Sequence, residues 1–182
     1  MRKIISIILF LHLSKFFVFA PPLPYMERTN VFNDWVEKIQ HQEMYEKVIQ
    51  NLKQSEGLRL SPYLCPAGYL TIGYGHRIRK GEHFTKITRQ EAEGLLKKDF
   101  NVRLASTEPH LPYNKRLAIT HFIFNVGQSA YHRSTLKKLI HQNKPINSEI
   151  MKWVHYRRHG VIYISKNLKK AREFELNLFY NV

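Results

Sequence analysis

Apolar residues are spaced along this chain in more than one rhythm. A nearly continuous run fills residues 4–13 and resumes at 16–20, interrupted by Ser14 and Lys15. After Pro21-Pro22-Leu23-Pro24 the rhythm changes. Trp35, Val36, Ile39, Met44, Tyr45, Val48, Ile49 and Leu52 recur at roughly helical steps, which predicts a helix over 33–54, with room for a break near His41 and a stop at Gly57. Residues 58–76 lose that period. Pro62, Pro66, Gly68, Gly73 and Gly75 punctuate short β-prone pieces there, and 69–74 reads as a strand among tight turns. Thr88 and Glu91 then form a capping box, followed by Ala92, Leu95, Leu96 and Phe100 on one face. Leu117, Ile119, Phe122, Ile123, Phe124 and Val126 make the most apolar segment, predicted as a central buried helix ending near Gly127. Further helices are predicted over 134–142, 148–158 and 165–180. A helix, a small β region and a larger helical lobe imply an α+β fold of two lobes, with a cleft between them for ligand.

The first apolar run follows Met1-Arg2-Lys3 and leads to Val18-Phe19-Ala20. A basic start, an apolar stretch and a small-residue cleavage pattern read as a secretory signal. Lys15 argues against a full membrane span, and Pro21 is a poor residue to follow a cut. Residues 1–20 are therefore expected to be a signal peptide or an uncleaved signal anchor. Residues 21–41 form a linker with an extra N-terminal helical segment, and 42–182 the main domain. The expected destination is the periplasm or the exterior, with membrane contact only through an uncleaved leader.

The full length of 182 residues suits one domain with a real core. Lys and Arg number 29 against 14 Asp and Glu, a formal charge of +15. Such a surface attracts polyanions: nucleic acid, acidic lipids or anionic wall polymers. The leader counts against nucleic acid as the partner, since an exported chain rarely meets it. Cys65 is the only cysteine, so no intramolecular disulfide forms, and a buried, inert thiol is expected. No spacing of the His-Glu-x-x-His kind points to a metal, and Gly73 and Gly75 suit backbone geometry better than phosphate binding.

Glycoside hydrolysis requires an acid to protonate the leaving oxygen and a base or nucleophile across the sugar. Glu56 falls at the C-terminal end of the first long helix, where the helix dipole disfavours a carboxylate. Partial burial would add to that effect, and both raise its pKa toward what a general acid needs.

Glu56, eight residues, Cys65, five residues, Thr71, running on into Ile72-Gly73-Tyr74-Gly75-His76, resembles the active-site segment of phage-type lysozymes. The resemblance continues through Thr88 to Leu96, Phe124-Asn125-Val126-Gly127, Tyr131, Ser134-Thr135-Leu136, Trp153 and Glu175, and covers about residues 43–180. It implies the bilobal lysozyme fold and makes 42–182 the catalytic domain. The implied activity is hydrolysis of the β-1,4 bond between N-acetylmuramic acid and N-acetylglucosamine in bacterial peptidoglycan. Glu56 would be the general acid. Cys65 and Thr71 would position or activate water, and Phe124 and Ser134 would line the glycan cleft. No cofactor or metal is implied, and the implied state is a monomer.

Two positions depart from the family pattern. Cys65 stands where Asp is commoner, and it is open to three roles: base, nucleophile or support. A thiol titrates near 8.5, so it is mostly protonated at neutral pH unless its neighbours intervene. At Ala171-Arg172 relatives usually carry two arginines, the first near the catalytic glutamate. Arg172, Lys169 or Lys170 could compensate. The alternative is a catalytically impaired module that binds peptidoglycan on a lysozyme fold. His76 is expected to brace its loop by hydrogen bonds. Arg77, Arg79, Lys80, Arg157, Arg158, Lys169 and Lys170 are expected on a solvated basic surface.

Overall fold

The computed structural model describes residues 25–65, 68–158 and 160–181. The expected signal segment and the proline spacer lie outside the described residues. Backbone contacts divide the chain into one unit at Met1–Ile39 and another at Gln40–Val182. In the first, the described residues are helical, and Val31, Phe32 and Trp35 are exposed. No helix among the described residues is long and apolar enough to cross a membrane.

Helix α1 (Tyr25–Glu56) runs without the break allowed near His41. In the second unit its residues Val48, Ile49 and Leu52 enter the core. A three-stranded antiparallel sheet follows in chain order, β1 (Arg59–Leu64), β2 (Leu70–Gly73) and β3 (His76–Arg77). Register between β1 and β2 shifts from Arg59↔Gly73 to Tyr63↔Thr71, an irregularity of the bulge kind that bends a strand.

Helix α2 (Arg89–Ala105) starts at the expected capping box. The Thr88 hydroxyl accepts from the Glu91 N–H, and the Glu91 carboxylate accepts from the Thr88 N–H at 2.6 Å. Helix α3 (Tyr113–Val126) is the predicted central helix, burying Leu117, Phe122 and Ile123. Helices α4 (Gln128–His132) and α5 (Thr135–His141) follow, the latter capped by Ser134.

The predicted helix over 148–158 is corrected. Only the short α6 (Asn147–Ile150) forms, and then a hairpin of β4 (His155–Arg158) and β5 (Val161–Ile164). Val161, Ile162, Tyr163 and Ile164 are β-branched or aromatic, the residue types that fit a pleated strand. Helix α7 (Lys166–Tyr180), capped by Ser165, closes the chain. Its Leu178 and Phe179 join residues of α1, α2 and α3 in one core. The result is an α+β arrangement, a small sheet beside a helical lobe.

Candidate active site

Glu56 ends α1, and Gly57, at φ +71°, turns the chain into β1. The turn between β2 and β3 comes back to meet it. A Cβ built on Gly75 would lie 3.7 Å from Glu56 Oε2. Gly75 also has φ +88°, a backbone state that strains any other L-residue. Glycine there lets the sheet approach the carboxylate. Neighbouring Gly73, at φ +67°, faces Ala92 of α2, whose Cβ would stand only 3.3 Å from an added Cβ. The Gly-Tyr-Gly run thus fits the sheet between Glu56 on one side and α2 on the other.

Glu56 is open to solvent by surface area, yet protein atoms crowd its carboxylate at longer range. That desolvation raises its pKa above the ordinary glutamate value, opposed only by the charge of His121. Among the described residues no Lys or Arg is ion-paired with it. A glutamate so placed keeps its proton to a higher pH than a solvated one.

Cys65 and Thr71 meet at one carbonyl. The Cys65 backbone N–H and the Thr71 hydroxyl each donate to Tyr69 O at 2.9 Å. Thr71 is buried. Cys65 is half-buried, not the buried core thiol expected, because it lies just beyond the end of β1 at the sheet's margin. Its surroundings are the turn that Gly68 N–H closes onto Cys65 O at 2.8 Å.

The remaining expected residues are placed as follows. Phe122 lies in the core, while Phe124 is half-buried beneath the Arg103 guanidinium, 4.7 Å from its ring centre. Ser134 is buried. Its hydroxyl accepts from the Lys137 N–H and donates to Tyr131 O at 2.7 Å, so it is already engaged in capping. His76 is buried between two carboxylates, with Nδ1 2.8 Å from Asp99 Oδ2 and Nε2 3.0 Å from Glu82 Oε2. It braces the segment after β3.

Sequence reasoning missed a buried polar group between α1, α3 and α7. His121 Nδ1 lies 2.7 Å from Glu175 Oε1, and its Nε2 lies 2.9 Å from Asn51 Oδ1. Arg172 is fully buried. It donates to Trp153 O, to Asn125 Oδ1 and, at 2.7 Å, to Glu175 Oε1. Its Nε is 2.7 Å from Glu175 Oε2 but off the line of a hydrogen bond, so that leg is ionic. The one available signal was a histidine inside the most apolar segment of the chain. A cavity of about 370 Å³ opens elsewhere, among Leu111, Lys115, Ile140, Pro145 and Phe179. It includes none of Glu56, Cys65 and Thr71.

The sequence model of the phage lysozyme family matches residues 53–175. An endolysin of Acyrthosiphon pisum secondary endosymbiont phage 1 is 34% identical over 142 residues, 74% of this chain and 95% of that protein. Among solved structures, the endolysin from Escherichia coli O157:H7 phage FAHEc1 superposes with a TM-score of 0.62 at 28% identity, covering 74% of this chain and 91% of that one. The muramidase domain of SpmX from Asticaccaulis excentricus shares the fold, with a TM-score of 0.66 at 24% identity over 75% of this chain and 96% of that one.

Proposed function

The chain belongs to the phage lysozyme family, and on that premise we propose that it is a muramidase cutting the β-1,4 bond between N-acetylmuramic acid and N-acetylglucosamine in bacterial peptidoglycan. The observation that carries the reading is Glu56 itself. It is a carboxyl with a raised pKa, without a Lys or Arg ion pair among the described residues, at the end of α1 where the Gly75 turn of the sheet approaches it.

In this reading the protonated Glu56 gives its proton to the glycosidic oxygen as the C1–O bond breaks. A water on the opposite face supplies the new bond to C1. Thr71 spends its hydroxyl hydrogen on Tyr69 O, so its oxygen lone pairs are left to accept from that water. Cys65 stands where relatives commonly have the aspartate that takes the water's proton. Phe124 offers an apolar flank to the glycan, and Ser134 enters by fixing the start of α5. The leader would deliver the 42–182 domain to the wall side of the membrane.

A second reading, a wall-binding module without chemistry, is favoured by Cys65 and Ala171, the two departures from the family pattern. Turbidity of a peptidoglycan suspension, with products identified by mass, separates the two. Wild type is expected to clear it and release muramic-acid reducing ends, and Glu56→Gln to lose about 10²-fold or more in rate. Cys65→Ser reports whether the thiol takes part in the chemistry. Co-sedimentation of wild type with intact wall and no release of sugar ends would establish the binding module instead.

A further inference from the structure

We propose that the β4–β5 hairpin, with the lysines beside its base, is a docking surface for an anionic lipid bilayer. The surface is separate from any contact the leader makes, and it does not depend on the chemistry of Glu56.

Four observations carry the assignment. First, the hairpin holds a run of apolar side chains out in solvent. Val154 is buried, and the Ser165 N–H donates to Val154 O at 2.8 Å, which closes the hairpin's base. Beyond that base Val161, Ile162 and Ile164 are 52%, 59% and 66% exposed, and Tyr156 and Tyr163 are 45% exposed. Single exposed apolar residues are ordinary, but four in succession on one strand form a patch. A two-stranded hairpin is also marginal in water by itself, so a surface that covers it stabilises it. Second, the local charge has one sign. Between Glu149 and Glu173 the sequence holds no acidic residue. Those two glutamates are met by Lys152 at 2.7 Å and Lys169 at 4.0 Å. Arg172 is buried against Glu175, so Arg157, Arg158, Lys166 and Lys170 set the sign. Third, the lysines are placed at a cost to their own helix. Lys166, Lys169 and Lys170 are exposed in the opening turns of α7, whose first turn has no acidic residue. The positive end of a helix dipole disfavours cations there, so their charge serves something outside the helix. Fourth, Tyr156 and Tyr163 are paired across the strands, with ring centres 5.6 Å apart and planes 26° from parallel. Tyrosine combines an apolar ring with a polar tip and concentrates at membrane–water interfaces.

The partner has to offer apolar contact and negative charge in one place. An anionic wall polymer offers the charge alone. A second copy of the hairpin offers apolar contact but sets like charges together. The headgroup zone of an anionic bilayer offers both. An open two-stranded sheet keeps unpaired backbone groups along its outer edges, and these do not enter hydrocarbon. The hairpin therefore lies within the interface, its aliphatic side chains at the acyl boundary and the lysines among the headgroups.

The test is hydrogen exchange of the full chain, read by mass spectrometry on the peptide spanning 155–164. It compares protein alone, with phosphatidylcholine vesicles, and with vesicles of equal parts phosphatidylcholine and phosphatidylglycerol. Exchange in that peptide is expected to slow about tenfold with the phosphatidylglycerol vesicles and little with phosphatidylcholine alone. Lys166→Gln/Lys170→Gln is expected to lose most of that protection, because each cation at an anionic surface is worth about fivefold. Ile162→Ser/Ile164→Ser is expected to lose it as well. All four positions are exposed, so both variants are expected to fold and to clear isolated peptidoglycan within about twofold of wild type. Unprotected 155–164 in wild type that floats with phosphatidylglycerol vesicles overturns the proposal, since another part of the chain then holds the lipid. Equal protection by polyphosphate in place of vesicles overturns it in favour of an anionic polymer. Protection that needs no lipid and rises with protein concentration overturns it in favour of a second copy. None of these outcomes bears on the muramidase reading, which falls only if wild type leaves peptidoglycan intact.

Discussion

Glu56 is placed where the fold works against its charge. Its raised pKa means that the folded chain holds the proton more tightly than the unfolded chain does. Stability is then fully present below the unfolded pKa, about 4.3, and is lost as pH rises through the higher folded value. Glutamine has no charge to desolvate. Glu56→Gln is therefore expected to melt above wild type at pH 7 and level with it near pH 3, the difference being read by thermal unfolding at both. Equal melting temperatures at pH 7 would remove the desolvation argument. Glu82 has the opposite sign. Its carboxylate accepts the Arg79 N–H at 2.8 Å and pairs with His76, and these hold its pKa down. The stability it contributes is present above the unfolded pKa and disappears as pH falls through the folded one. Glu82→Gln is expected to lower the melting temperature at pH 6 and to match wild type at pH 3. Glu56, Cys65 and Thr71 stand out as candidates in the sequence because a local motif spaces them within one segment. His121 was not. Its partners lie 70 residues upstream at Asn51 and 54 downstream at Glu175, and only the packing of three helices brings them together.

Elements were legible where a local signal agreed with burial. The Thr88–Glu91 box is such a case, since both of its reciprocal hydrogen bonds form at the start of α2. Thr88→Ala removes the cap and is expected to cost about 1 kcal/mol, read as a lower denaturation midpoint with unchanged slope. Thr88→Asn is expected to recover most of it. The segment 148–158 misled for a definite reason. Ile150, Trp153 and Val154 fall at helical steps, and Ile150 and Val154 are indeed buried. The chain buries them with one short helix and a turn, then leaves as a hairpin. Every residue of β5 is exposed, so there was no half-buried alternation to announce a strand. The helix α1 exceeded its predicted span for a related reason. Residues 30–35 are exposed in the first unit, and apolar periodicity reports only the faces that pack.

At the scale of the whole molecule the dominant fact is charge, +15 over 182 residues. The buried ionic groups account for little of it, since Arg172 is set against Glu175 and the buried Asp99 faces Arg79. The excess is at the surface, where Arg79, Lys152 and Lys169 stand with exposed side chains. Surface charge of one sign acts at long range, over a Debye length of about 10 Å at 0.1 M salt, and it speeds encounter with an opposite polymer more than it alters chemistry at a bound bond. The muramidase reading therefore predicts a split. Raising NaCl from about 0.05 to 0.5 M is expected to lower kcat/KM on whole wall by several fold while kcat at saturation changes little. On wall stripped of its anionic polymers the salt dependence is expected to flatten. Initial rates against wall concentration at each salt supply both constants. A kcat that falls in step with kcat/KM would place the effect of salt inside the site. The basic surface would then have no part in finding the substrate.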